Sequence, residues 1–290
     1  MADKSDRSAV FLALVSVVCW SGAATAFKKA LSHGSPWLVV FSASVISSAV
    51  FGIVLAAGKQ RVTKAHVMSG LYLGFLNPFL YYLVLLNAYR GLPAQIAMVV
   101  NYLWPVVLVL LSVPLLGQKL NKKGFSGVML SFAGVAFLAL AGGSSFSISP
   151  APLFLALAST IIWAVYWILN TRSRGNTAAA LFTGFVSGSL YLFVYGVVTG
   201  QQFSLHAEAL PWILYVGVFE MGITYILWNT ALKRASTTAA VSSMIFLTPF
   251  LALILIQAVV GEKIASSTVI GLVMVAGGIF LEKRSRKNTR

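Results

Sequence analysis

Residues 91–118 read GLPAQIAMVVNYLWPVVLVLLSVPLLGQ. No position in this run carries a charge, and it exceeds the roughly 20 apolar residues a helix needs to cross a bilayer. Pro105 sits inside it and removes one rung of the helical hydrogen-bond ladder. The same plan returns 144 positions later, where Pro105 falls on Pro249, Gly117 on Gly261, Lys119 on Lys263 and Leu120 on Ile264. Gly127 and Gly134 fall likewise on Gly271 and Gly278. At an offset of 143, Leu12, Ala13, Leu14 and Trp20 fall on Leu155, Ala156, Leu157 and Trp163, and Lys29 on Arg172. A near-constant offset over so many positions marks a duplicated unit.

Composition fixes the solvent of both copies. Of 290 residues, 59% are hydrophobic and 9% charged, and the mean hydropathy is +0.89. An average soluble domain has about 25% charge, so soluble, disordered and collagen-like classes are excluded. In lipid, only helices and closed barrels satisfy their own backbone. Barrel strands would alternate in polarity over roughly ten residues, whereas these runs are long and continuously apolar. The fold expected is an all-α polytopic membrane protein.

Ten spans are expected: 8–27, 30–58, 65–89, 91–118, two within the charge-free stretch 124–171, then 175–207, 209–232, 235–261 and 264–282. The turn-rich segment from Gly142 to Pro150 separates the fifth from the sixth. The first run has Lys4 and Arg7 ahead of it, as a signal peptide would. Asp3 and Asp6 spoil that basic region, and the run has a partner in the second half, so it is expected to be retained. Five spans per unit is an odd number, so the second copy must be inverted. The expected domains are residues 1–145 and 146–290, two inverted five-helix repeats around a central cavity. Secondary transporters commonly place their substrate site at such an interface, near the midplane.

The net charge of +15 resides in short clusters between spans, a membrane-orientation signal that calls for no nucleic acid. With the N-terminus inside, 17 of the 21 lysines and arginines fall on the cytoplasmic side, and Lys28, Lys29, Arg90 and Lys263 fall outside. Both termini are therefore expected in the cytoplasm. Cys19 is the lone cysteine, and no CxxC, HExxH or other His/Cys cluster occurs. No metal and no cofactor is expected.

Function is sought where lipid would penalise a side chain. Glu220 lies near the middle of the eighth span, where an acidic residue costs roughly 2.5–3.5 kcal/mol on insertion scales. Thr224 and Trp228 follow at i+4 and i+8, on its face. Glu220 reads either as a proton or substrate-ammonium site or as a structural carboxyl bonded to a neighbouring helix. In span three, Asn77 and Tyr81 share a face around Pro78, with Tyr82 beside them. In span four, Asn101 and Trp104 face one way, with Tyr102 between them. Trp163 and Trp167 stand in span six, and Trp20 is the repeat mate of Trp163. Paired helix breaks at Pro105 and Pro249 are the expected hinges and the best pointer to a transport site.

An interfacial belt explains Trp37 and Trp212 at span starts, but not Trp104 or Trp163 at mid-span. Core packing is the alternative for any single ring. Taken together, the substrate-binding set expected is Trp20, Asn77, Tyr81, Tyr82, Asn101, Tyr102, Trp104, Trp163, Trp167, Glu220 and Trp228. Gly184 and Gly188 form a small-xxx-small pair, and Gly127, Gly134, Gly271 and Gly278 mark matching packing faces.

The inverted duplication, with Gly117-Gln118-Lys119 matched by Gly261-Glu262-Lys263, resembles the drug/metabolite transporter superfamily with two EamA repeats. Asn101-Tyr102-Leu103-Trp104-Pro105 resembles the signature of its YddG branch, supported by Trp20-Ser21, the segment Ile162 to Tyr166, Trp228-Asn229 and Thr248-Pro249. The resemblance implies an exporter of amino acids and aromatic metabolites in the bacterial inner membrane. It implies a basket-like bundle with spans five and ten set apart from the cavity, lined by Trp104, Tyr102, Tyr81 and Trp163. Partners would be those small molecules and the lipid bilayer, and a monomer suffices. A transporter of other metabolites or amphipathic drugs is the alternative. An enzyme is not expected: the aspartates are Asp3 and Asp6 alone, and His33, His66 and His206 lie near span ends. A passive channel would need a more polar lining.

Overall fold

The computed structural model describes residues 4–117, 120–142, 149–170, 176–235 and 244–287. Every regular element among the described residues is helical, with no strand. The helices are α1 (Arg7–Leu31), α2 (Pro36–Ala57), α3 (Lys64–Gly91), α4 (Ala94–Leu116) and α5 (Lys122–Leu140) in the first half. The second half holds α6 (Pro150–Asn170), α7 (Thr177–Val198), α8 (Ala207–Arg234), α9 (Ile245–Val260) and α10 (Ser266–Arg284). All but α9 are long and apolar enough to cross a membrane. Helix α9 is shorter, and residues 236–243 just ahead of it lie outside the described residues. So do the expected domain boundary at 145/146 and Gln118, Lys119, Arg172 and Arg174.

Local chemistry starts these helices. Pro36 opens α2 with its fixed φ, and Ser35 Oγ accepts from Leu38 N at 3.3 Å, satisfying one of the orphan amides of the first turn. Asn176 caps α7 through Ala178 N and Ala179 N. Gly117 and Gly261, repeat equivalents, end α4 and α9 at φ of 64° and 82°. Only glycine takes that left-handed cap without a steric penalty.

The inversion is visible in the seam between α5 and α10. Gly127 abuts Gly278, and Gly134 abuts Gly271: a Cβ on Gly127 would stand 2.5 Å from Gly278 O, and one on Gly134 2.8 Å from Gly271 O. Gly127 therefore touches the equivalent of Gly134, and Gly134 the equivalent of Gly127, the exchange a two-fold axis produces. Ser131 Oγ donates to Val275 O at 3.1 Å, and positions 131 and 275 are themselves equivalents, so the axis passes beside them. The two helices run antiparallel, so that axis lies across them. The second repeat is the first turned upside down.

A second glycine seam joins α3 to α7. A Cβ on Gly74 would run into Gly184 O and stand 3.0 Å from Gly188 N. Trp37 departs from the interfacial belt expected for it. It is buried against Gly196 of α7, and its indole N–H donates to Leu192 O at 2.7 Å. The missing Cβ at Gly196 makes the slot the ring fills, a relation between residues far apart in the chain.

Helices alternate in direction, so Arg7, Lys64, Lys122, Lys233 and Lys283 gather at one end of the bundle, here called the basic end. Lys233 Nζ reaching Thr177 Oγ1 at 3.4 Å and Lys283 Nζ lying 5.8 Å from the Phe246 ring centre are contacts made there. At the opposite end the turn Ser32–Ser35 meets the segment 200–206 across a polar cleft.

Candidate functional site

Between the repeats lies a cavity of about 660 Å³. Its lining runs from Tyr89 and Met98 toward the opposite end to Leu116, Leu232 and Lys283 at the basic end. Ten of the eleven expected binding residues line it: Trp20, Tyr81, Tyr82, Asn101, Tyr102, Trp104, Trp163, Trp167, Glu220 and Trp228. Pro105 lines it too, and Thr248 does so beside Pro249.

Asn77 stands elsewhere. The helix of α3 is broken there, with Asn77 at φ −146° and ψ 118°, and the side chain faces a second cavity of about 100 Å³ bounded by Tyr166, Asn170, Asn176 and Asn229. The helical geometry that put it on the face of Tyr81 does not hold across Pro78.

The break in α4 is tight rather than open. Tyr102 N donates to Met98 O, Leu103 N to Val100 O and Val106 N to Leu103 O, each at 2.9–3.0 Å. Trp104 and Pro105 then begin a new helical segment. The fragment is pinned from the side: Tyr81 Oη donates to Asn101 Oδ1 at 3.2 Å, and Asn101 Nδ2 donates to Ser159 Oγ at 3.1 Å. The Asn101 amide thus ties α3, α4 and α6 together at the level where Trp104 projects.

Trp163 is the centre of the aromatic wall. Tyr81 stacks on it at 4.4 Å and Tyr166 at 5.1 Å, with interplanar angles of 21° and 13°. Trp104, Trp167 and Tyr225 meet it edge-on between 5.7 and 6.5 Å. Stacked partners occupy the Trp163 ring, which is 9% exposed; it shapes the wall. Trp104 and Trp167, stacked at 6.4 Å and only partly buried, offer more ring surface to a ligand. Stacked and edge-on pairs each contribute about 0.5–1.5 kcal/mol beyond area burial, so the wall is held rigid before any solute arrives.

Across from it, Trp20 of α1 packs on Trp228 at 5.5 Å and edge-on to Tyr225 at 6.0 Å. Its indole N–H reaches Glu220 O at 3.3 Å. Tyr82 Oη donates to Glu220 Oε1 at 3.2 Å. Glu220 Oε2 is buried without a hydrogen-bond partner among the described residues.

The helix widens into a π-turn over Val216–Ile223, with Gly222 at φ −107° and ψ −111°. That extra residue shifts the phase beyond Glu220. Thr224, expected beside Glu220, is fully buried and off the cavity wall, while Tyr225 joins it. Tyr225, Tyr89 and Asn229 are lining residues that sequence reasoning missed; the π-turn hides the first and third from a helical wheel.

Spans five and ten divide. No described residue of α5 lines the cavity, whereas α10 contributes Ile279, Glu282 and Lys283 at the basic end. The seam faces α5, and the last turns of α10 border the cavity at the basic end.

The opposite end is tied shut. Glu262 Oε1 accepts from Ala94 N at 2.7 Å, and Oε2 from Gln95 N at 3.3 Å. A carboxylate on the first amides of a helix is a strong charge-assisted arrangement. Gln95 is fully buried and has every polar group engaged. Its Nε2 donates to Glu262 Oε2 and Lys263 O, and its Oε1 accepts from Ala265 N and Thr268 Oγ1. Lys28 Nζ donates to Tyr89 O at 2.9 Å and Leu92 O at 2.6 Å. These bonds join α1, the α3–α4 turn and the α9–α10 turn, and the cavity stops beneath them.

Known proteins match this architecture. The EamA-like transporter family matches residues 7–140 and 151–282. The chain is 26% identical to the aromatic amino acid exporter YddG of Escherichia coli strain K12, over 95% of this chain and 96% of that one. It is 27% identical to the aromatic amino acid exporter YddG of Ancylobacter novellus, over 79% of this chain and 81% of the other. A protein of known crystal structure shares the fold with a TM-score of 0.68 at 21% identity, covering 95% of this chain and 98% of that one.

Proposed function

This chain belongs to the EamA-like transporter family, and we propose that it exports amino acids, aromatic and other neutral ones, together with related metabolites. It is a multi-pass membrane transporter and not an enzyme. In our reading it sits in the bacterial inner membrane with both termini and the basic end in the cytoplasm. The cavity wall carries the reading: Trp104, Trp167, Trp20 and Trp228 present ring surface, and Glu220 adds one carboxyl. A volume of about 660 Å³ falls within the roughly 300–1,000 Å³ of small-molecule pockets. The names of the relatives support amino acids as substrates.

The cycle we propose is alternating access. The described conformation leads to the basic end and is tied at the other, so it loads from the cytoplasm. The inverted second repeat provides the opposite conformation, in which the two halves exchange shapes. The helix restarts at Pro105 and Pro249 are the proposed hinges, because few ladder bonds must change there. The tie of Glu262, Gln95 and Lys28 must open once per cycle.

The large apolar wall favours a second reading, transport of other metabolites or amphipathic drugs. A counterflow screen of the twenty amino acids in proteoliposomes, with and without a pH gradient, tests the first. Trans-stimulated uptake of phenylalanine, tyrosine or tryptophan is the expected result. Exchange of amphipathic cations such as paraquat with none of the amino acids would favour the second.

A further inference from the structure

We infer that Glu220, walled by Trp20, Trp228 and Tyr225, is a subsite for the ammonium group of the solute, so that a positively charged amine, and not a carboxylate, is what the cavity selects. The inference rests on the proposed function and adds which end of the molecule is recognised.

Three observations on this pocket converge. The first is charge. Among the lining residues, Glu282 and Lys283 are neighbours at the basic end, and Glu220 is the remaining charged side chain, deep among aromatic rings. A carboxylate solute at that depth would meet a like charge. An ammonium would meet an opposite one in surroundings where water competes poorly.

The second is unfinished hydrogen bonding. Tyr82 Oη supplies one donor to Oε1, and the Trp20 indole N–H is spent on the Glu220 backbone carbonyl. Oε2 has no hydrogen-bond partner among the described residues. A buried polar atom left this way costs stability unless a ligand completes it, and a carboxylate accepts but does not donate. A group that completes the ionised carboxyl must therefore bring hydrogens, as a primary ammonium does three times over.

The third is the wall. Trp20 lies 5.5 Å from Trp228 and 6.0 Å from Tyr225, centre to centre, and its indole N–H reaches the Glu220 backbone carbonyl, so three clustered rings line the same cavity as Glu220. Ring faces attract cations through their quadrupole, tryptophan best of all. The apolar tail of the solute would then extend toward Trp104 and Trp167 on the other side of the cavity. Nothing in this arrangement calls for a carboxylate on the solute, so simple aromatic amines should fit as well as amino acids do.

The test compares phenethylamine, which keeps the amine and lacks the carboxylate, with 3-phenylpropionate, which keeps the carboxylate and lacks the amine. Binding to the full chain in nanodiscs is read from tryptophan fluorescence, and competition is read from phenylalanine counterflow. Phenethylamine should bind at least about tenfold more tightly than 3-phenylpropionate, the scale of one hydrogen bond to a charged group. Glu220→Gln should erase that ratio, and Glu220→Asp, which keeps the charge, should preserve its sign. Equal binding of the two probes, binding of neither, or an unchanged ratio in Glu220→Gln would overturn the subsite. Amine-selective binding without any phenylalanine counterflow would instead overturn the proposed transport function and leave the subsite standing.

Discussion

The first half of the chain breaks its fourth helix at Tyr102 and restarts it at Trp104-Pro105. The second half runs through a short 3-10 turn at Ile245–Leu247 and restarts at Thr248-Pro249. The backbone device is the same, and both versions face the cavity. The side chains are not the same: Asn101, Tyr102 and Trp104 line the first break, and Ile245, Phe246 and Thr248 the second. The glycine seam behaves in the opposite way, since Gly127 and Gly134 are matched residue for residue by Gly271 and Gly278. Duplication has preserved what the backbone needs for close approach and for the proposed hinges. It has let the cavity wall diverge, as the asymmetric solute we propose would require.

Substitutions in both regions probe that contrast, and the largest effect is expected in the seam. Gly278→Leu should leave no recoverable folded protein, because even a Cβ there meets Ser131 and the Gly127 carbonyl. Gly278→Ala should lower stability by about 1–3 kcal/mol, the usual range for overpacking. At the adjacent Gly277 a Cβ would meet only Leu130 Cδ2 at 3.9 Å. Gly277→Ala should be neutral or gain up to about 1 kcal/mol of helix propensity. Thermal unfolding midpoints in detergent would show it, and equal losses at both glycines would refute the seam.

The cavity wall should respond unevenly. Trp104→Ala is expected to cut amino-acid flux at least about tenfold, and Phe246→Ala, at the position in the second break equivalent to Tyr102, by no more than about threefold. Equal losses would mean the two breaks share the substrate evenly. The tie at the opposite end comes next. Glu262→Ala should expose a cysteine placed at Met98 to a membrane-impermeant maleimide from that end, with flux reduced about threefold as the resting balance of conformations shifts. No gain in labelling would show that Glu262 does not hold that end closed. The smallest effect is expected at Asn77, which faces the second cavity. Asn77→Ala should change the apparent substrate affinity by less than about twofold, on the scale of a residue with no ligand contact.

Much of this was legible in the sequence because lipid punishes exceptions. Ten charge-poor runs gave the helices, the offset of 144 gave the duplication, and the parity of five gave the inversion. Mid-membrane tryptophans and Glu220 could be singled out, since a bilayer offers them no partner. What escaped depends on departures from ideal helix geometry. The π-turn at Val216–Ile223 brought Tyr225 into the wall and took Thr224 out of it, and the break at Asn77 turned that amide toward another cavity. Trp37 read as an interfacial anchor because its slot is made by Gly196, remote in sequence. Gln95 gave a faint signal, an amide in an otherwise apolar span start. Its partner Glu262 stands out in the sequence only as part of a repeated motif.

The central claim is that the aromatic cavity carries amino acids by alternating access. It is tested most directly by counterflow in proteoliposomes preloaded with unlabelled phenylalanine and diluted into a trace of labelled phenylalanine. The account predicts a transient accumulation of label above equilibrium that saturates with concentration and disappears in Trp104→Ala. Label that enters without overshoot and in linear proportion to concentration, or an overshoot that persists undiminished in Trp104→Ala, would contradict it.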